Sequence, residues 1–168
     1  MTAQVMSSVL YEGKHFNLVN GNPFIPGDYG FEYSPTSSAC TGLYCHYTIH
    51  DNRLHLIDAM IGLPYDPSDP FRQNEDLERQ RQLTLHGHKP EIDGLERHFR
   101  NINMPLTFSG IIRIEAPSPY PYDDVRALAR CPGFLLRFEE GILIKAEPTD
   151  CDPDPMYPSE FEDPIPPL

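Results

Sequence analysis

Apolar and polar residues alternate with a period of two along most of the chain, and that alternation predicts strands. Residues 4–11 and 15–19 form two β-prone runs around Glu12-Gly13-Lys14, a hairpin-like break. Residues 20–42, rich in Gly, Pro, Ser and Thr, read as a long loop. Tyr44–His50 and Arg53–Ile57 then flank Asp51-Asn52, residue types that tolerate positive φ, which is a two-residue hairpin signal. With that turn, His50 faces Arg53, Ile49 faces Leu54, Thr48 faces His55 and Tyr47 faces Leu56. One face holds Cys45, Tyr47, Ile49, Leu54 and Leu56 and should be buried; the other collects His46, Thr48, His50, Arg53 and His55. The two outer histidines are placed diagonal to His55, about 7–8 Å away between backbones.

A further strand spans 106–116, with the even-numbered Leu106, Phe108, Gly110, Ile112, Ile114 and Ala116 turned to the core. Phe134–Phe138 and Ile142–Ala146 enclose Glu139-Glu140-Gly141, a second hairpin in which Gly supplies the left-handed position. Between the hairpins, residues 64–104 break the pattern. Pro64, Pro67 and Pro70 mark a loop, and Asn74 caps a helix predicted over 75–83, with Glu75 and Asp76 in its first turn. A second helix is predicted over 91–101, where Ile92, Leu95, Phe99 and Ile102 recur at near-helical spacing after Pro90. Asp123-Asp124 before Val125–Ala129 read as the start of a short helix or a polar connection between strands. No internal repeat is visible.

The expected fold is therefore mostly β at the border of α+β: a single antiparallel sheet or small sandwich over residues 1–147, with a helical insertion at 64–104. A chain of 168 residues has the length of one domain. Charge changes the picture at the C-terminus. The net charge is −12, and the last 21 residues hold six acids, seven prolines and no base. Such a tail, 148–168, lacks the apolar surface to offset its ordering entropy and reads as extended or disordered. Its Tyr157 and Phe161, with Asp152 and Asp154, are candidate contacts to a groove or a partner.

The acidic balance disfavours nucleic acid and anionic membranes and favours a basic protein partner. The first residues lack a basic n-region and an apolar core of signal length, and no apolar run is long enough to span a bilayer. A cytoplasmic protein is expected, with Cys40 and Cys45 as reduced thiols. No CxxC, GxSxG, HExxH, GxGxxG or P-loop pattern occurs. His46, His50 and His55 form the sharpest polar cluster. Imidazoles suit zinc, copper or nickel, but same-face neighbours on a flat sheet splay apart, so the leading reading is a solvated or substrate-facing sheet surface with no cofactor, ahead of a partner-binding surface and a metal site. His86-Gly87-His88, with His98, reads as a loop rather than a metal set. Cys45, on the inward face, is structural rather than a catalytic thiol.

Several segments resemble a group of small uncharacterised bacterial proteins. They are Leu10-Tyr11-Glu12-Gly13-Lys14 with Asn22-Pro23, Ser37-Ser38-Ala39-Cys40, Tyr47-Thr48-Ile49 with Asp51–Leu56, Phe108–Ile114, and Phe138-Glu139-Glu140-Gly141. Where that group carries a Trp-Arg-Gly-Tyr stretch and a Trp-Glu-Ile strand, this chain has Thr41-Gly42-Leu43-Tyr44 and Tyr47-Thr48-Ile49. The resemblance implies one β-rich unit interrupted by 64–104 and no catalytic residue. Together these features point to an acidic binding protein, of the immunity or inhibitor type, that neutralises a basic partner such as a nuclease toxin. Two other readings stand beside it: a histidine-dependent metal or small-molecule enzyme, and an accessory module that recruits a protein through its proline-rich tail. The binding surface expected for the first comprises His46, His50, Arg53, His55 and the four tail residues.

Overall fold

The structure, a computed structural model, describes residues 6–36, 39–65, 75–119 and 131–150. Asn74, the 123–129 segment, Cys151 and the tail residues Asp152, Asp154, Tyr157 and Phe161 lie outside the described residues. Among those described, strands account for 50% and there is a single α-helix. The strands are β1 (Ser8–Tyr11), β2 (Lys14–Asn20), β3 (Leu43–His50), β4 (Arg53–Gly62), β5 (Glu91–Asp93), β6 (Glu96–Phe99), β7 (Met104–Pro105), β8 (Gly110–Glu115), β9 (Gly133–Glu139) and β10 (Ile142–Thr149). The helix α1 covers Glu75–Gln82, and a 3-10 turn covers Pro26–Tyr29.

Seven strands close on themselves in the order β10-β9-β8-β2-β1-β3-β4, and β5, β6 and β7 extend the β4 side. The closed barrel replaces the open sheet or sandwich expected from the pattern. Closure depends on a long-range meeting of two turns: Ile142 pairs with Arg53, the Leu54 N–H donates to the Gly141 carbonyl at 2.9 Å, and the Leu143 N–H donates to the Asn52 carbonyl at 2.7 Å. These bonds remove the edge that an open sheet would leave there. All neighbouring pairs are antiparallel except β1 and β3, which run parallel.

Three hairpin turns carry positive φ at both central residues, as type I′ geometry demands: Glu12-Gly13, Asp51-Asn52 and Glu140-Gly141. The β3–β4 register follows the turn as expected, from His50 opposite Arg53 to Tyr47 opposite Leu56. A bulge at His46/Tyr47 then shifts the pairing by one, so His46 stands opposite Asp58. Inward parity places Val9, Cys45, Tyr47, Leu54, Leu56, Ile112, Ile114, Leu136 and Phe138 in one fully buried core cluster. That packing fills the barrel with side chains. The even-numbered face expected for 106–116 is buried at Leu106, Ile112 and Ile114, although the strand itself begins at Gly110, where φ is +151°.

Three expectations change. Residues 91–101 form the β5–β6 hairpin, with Asp93 opposite Glu96 and Gly94 at φ +59°, rather than a helix. The helical spacing there was a coincidence: Ile92 and Leu95 are exposed, while Arg97 and Phe99 alternate inward. Insertion 64–104 thus holds one described helix and three short strands. The loop 20–42 is also more than a connection, since its Phe24 and Phe31 join the core cluster. At the other end of the chain, β10 continues to Thr149, opposite Gly133, and takes the first two residues of the predicted tail into the sheet.

Candidate functional site

Outward parity builds a polar strip across the β2-β1-β3-β4 wall. Ser8 pairs across the parallel ladder with His46, and the Ser8 hydroxyl hydrogen-bonds His46 Nδ1. His15, on β2, reaches over β1 to bring its ring 5.4 Å from that of His46. On the other side stands Asp58, whose carboxylate accepts the Asn101 N–H at 2.8 Å. Partial burial pushes the His46 imidazole below its usual pKa; the Asp58 charge opposes that shift and His15 adds to it. His46 thus stands between a hydroxyl and a carboxylate.

The three histidines singled out by the pattern are not brought together. The bulge turns His46 toward Asp58, Ser8 and His15 rather than toward His55. His55 Nδ1 lies 3.3 Å from the Arg53 carbonyl, and His50 sits at the strand end, 3.3 Å from the exposed carboxylate of its neighbour Asp51. Among the described residues, no group of three His, Cys, Asp or Glu is placed to hold a metal ion. His86-Gly87 is a tight turn, with Leu85 and His88 exchanging both backbone hydrogen bonds, and His98 contacts Glu96 at 3.0 Å. Burial pushes the Cys45 thiol up to about 12, which leaves it inert as a nucleophile. No disulfide joins it to Cys40.

Two of the three turns, Glu12-Gly13 and Asp51-Asn52, close the same end of the barrel, because β1 and β3 run parallel and finish together. β10 is antiparallel to β4 and runs in the direction of β1 and β3, so the Glu140-Gly141 turn opens the other way, and the pairing of Ile142 with Arg53 sets it beside the Asp51-Asn52 turn at the closing seam. That seam presents Asp51, Glu139 and Glu140, all exposed, beside the half-buried Arg53. Backbone bonds hold it rigid: Gly141 N–H donates to the Phe108 carbonyl at 2.8 Å, and Glu140 N–H to the Ser109 hydroxyl at 2.9 Å. Three acids, Glu12, Asp51 and Glu140, sit at positive-φ tips because the left-handed region is the geometry of the turn itself, which the following Gly or Asn completes.

At the end where β1 and β3 begin lies a cleft of about 530 Å³ between the end of β2, the start of β3, Tyr33 and residues 39–41. Its walls include Leu18, Val19, Asn20, Asn22, Tyr33 and Leu43, and among the described residues no charged one lines it. Nearby is a residue that the pattern gave no reason to single out. Arg97 is fully buried, and its guanidinium donates to the carbonyls of Ile61, Gly62, Gln80 and Glu32 and to the Gln80 side chain, at 2.5 to 3.3 Å. It also stacks 5.0 Å over Phe31. Burial draws its pKa down to about 10, with the Glu32 charge opposing. One cation thereby ties together β4, β6, α1 and the 30–32 loop. An arginine at a strand position ordinarily reads as outward, and only the alternation with Phe99 hinted otherwise.

No protein-family model, no curated protein and no solved structure matches the chain. Among the described residues no helix is long and apolar enough to cross a membrane.

Proposed function

We propose that the chain is a non-enzymatic binding protein that engages a basic protein partner through the rigid acidic seam where the turns flanking β4 and β10 meet. The observation that carries this reading is the meeting of Asp51 with Glu139 and Glu140 at that seam, supported by closure bonds that preorganise them. Preorganised like charge accelerates association with a cationic surface and loses its effect in salt. The filled interior favours recognition at the surface over an enclosed substrate site. An immunity-type or inhibitor role toward a basic toxin is the form of this function that fits the overall net charge of −12, and the likeness to small uncharacterised bacterial proteins is compatible with it.

The test is capture of partners from the native host with the full chain and with a variant carrying Asp51→Asn, Glu139→Gln and Glu140→Gln. The expected partner is basic, and its association slows about tenfold in the variant while the salt dependence flattens. An unchanged association rate and salt slope would remove the seam from the interface.

A second reading, chemistry on a small molecule, is favoured by one observation: the Ser8 hydroxyl is hydrogen-bonded to His46 Nδ1. That pair has the composition of a nucleophile with its base. Fluorophosphonate labelling of Ser8 that disappears with His46→Gln is the expected result on this reading; an unlabelled Ser8 rejects it.

A further inference from the structure

Two imidazoles meet over β1 on the outer wall of the barrel. His15 of β2 and His46 of β3 are not adjacent in the sheet, because β1 lies between them and pairs with both strands. In those ladders Leu10 stands opposite His15 and Ser8 opposite His46. The two rings nonetheless reach across until their centroids are 5.4 Å apart and their planes 30° apart. The Ser8 hydroxyl engages His46 Nδ1, which leaves Nε2 as the nitrogen free for a ligand. His15 is exposed, and among the described residues none hydrogen-bonds its ring. Three paired strands thus hold two imidazoles and an orienting hydroxyl in fixed register, with the Asp58 carboxylate opposite His46 on β4.

We propose that His15 and His46 are the two protein ligands of a zinc ion, with water completing its shell and Ser8 holding His46 in the ligating tautomer. The ring separation selects the metal. Zinc takes imidazole nitrogens at about 2.0–2.1 Å in a tetrahedral shell, and a ring nitrogen lies about 1.2 Å from its ring centre, so two imidazoles on one zinc have centroids about 5.2 Å apart. The observed 5.4 Å matches that spacing. Neighbouring ligands at the right angle of square-planar copper or nickel would stand about 4.5 Å apart. A ligating imidazole ordinarily donates its other ring N–H to an oxygen, which fixes the tautomer. With the proton on Nδ1, His46 donates to the Ser8 hydroxyl oxygen and offers its Nε2 lone pair. Asp58 contributes charge rather than a bond: one of its oxygens accepts the Asn101 N–H at 2.8 Å, and it completes no three-ligand group with the histidines. The site is therefore open and bidentate. It is independent of the acidic seam, and it makes Ser8 an acceptor where a nucleophile would have to donate its proton to His46.

The test is titration of the full chain with zinc alone, read against a chromophoric zinc indicator, and with cobalt(II) as an optical stand-in. One equivalent of zinc is expected, and cobalt should give the intense visible bands of a tetrahedral shell, which zinc then displaces. His15→Gln and His46→Gln should each lose that equivalent, whereas His50→Gln, on the same wall, should retain it. Ser8→Ala keeps both ligands and should weaken binding about tenfold, the effect of losing a hydrogen bond that orients a ligand. His15 is exposed, so metal-free His15→Gln should unfold at the same urea concentration as the parent, which separates loss of a ligand from loss of the fold. Absence of binding, or an equivalent that survives either histidine substitution, overturns the proposal. An affinity unchanged in Ser8→Ala overturns the role given to Ser8.

Discussion

Barrel closure can be isolated by comparing two glycines that share a turn type and a sequence position but not their surroundings. Gly13 and Gly141 each follow a glutamate at the tip of a type I′ turn, with φ of +77° and +83°. A Cβ on Gly13 meets nothing within 4 Å, whereas a Cβ on Gly141 would lie 1.8 Å from the Leu106 carbonyl oxygen. Gly13→Ala therefore pays only for the left-handed backbone, about 1–2 kcal/mol. Gly141→Ala carries the same term and also forces the two backbones apart by more than 1 Å to reach the 3.0 Å that real contacts respect. A shift of that size breaks the seam bonds that Gly141 makes to Leu54 and Phe108 and strains the bond from Leu143 to Asn52. At about 1 kcal/mol each, the three raise the total to about 4–5 kcal/mol. Urea denaturation should thus separate the variants by about 3 kcal/mol, or about 6–12 °C in Tm for a chain of this size. Amide exchange at Leu54 and Leu143 should accelerate in Gly141→Ala alone. Equal destabilisation by the two substitutions would refute a closure that depends on this approach.

Arg97→Met should destabilise by about 3–5 kcal/mol, measured by the same unfolding curves, because four buried carbonyls and the Gln80 side chain lose their donor. Arg97→Lys should recover only part of this, since one ammonium offers three donors where the guanidinium reaches five acceptors. The depressed His46 pKa means that the unfolded chain binds its proton more readily than the folded one. Stability is then highest above the unfolded value near 6.5, falls as pH drops below it toward the folded pKa, and levels off beneath that; His46→Gln should remove this segment of the pH–stability curve. Iodoacetamide at pH 8 should leave Cys45 unmodified in the native protein and modify it only after denaturation, in line with a thiol pushed up to about 12.

Local chemistry was legible in the sequence and long-range chemistry was not. Asp51-Asn52 specified its turn, and the turn specified the register of eight facing residues because the period of a strand leaves no other phase. The same logic found α1 and the β9–β10 hairpin. It failed at 91–101, where apolar residues happened to fall at helical intervals and Gly94, which weakens a helix, was the signal for a turn. The bulge at His46 was invisible too, and it decides which neighbours that histidine has. Closure could not be read at all. It rests on a carbonyl of Leu106 approaching Gly141, and nothing within either segment announces the other. Of the expected contact residues, His46, His50, Arg53 and His55 share one wall, but Glu139 and Glu140 come to stand beside Asp51 only through the pairing of β10 with β4.

The seam between β4 and β10 also sets the order in which the molecule assembles. Arg53 and Ile142 are separated by more than half the chain, whereas the three hairpins join neighbours in sequence. Hairpins of this kind form in microseconds, while a contact between distant segments waits for the loop-closure entropy of everything between them. Refolding should therefore pass late through the joining of two preformed halves. Until they join, β4 and β10 both expose unpaired backbone along the seam, and crowded refolding is the condition in which two copies can exchange those edges instead of closing their own.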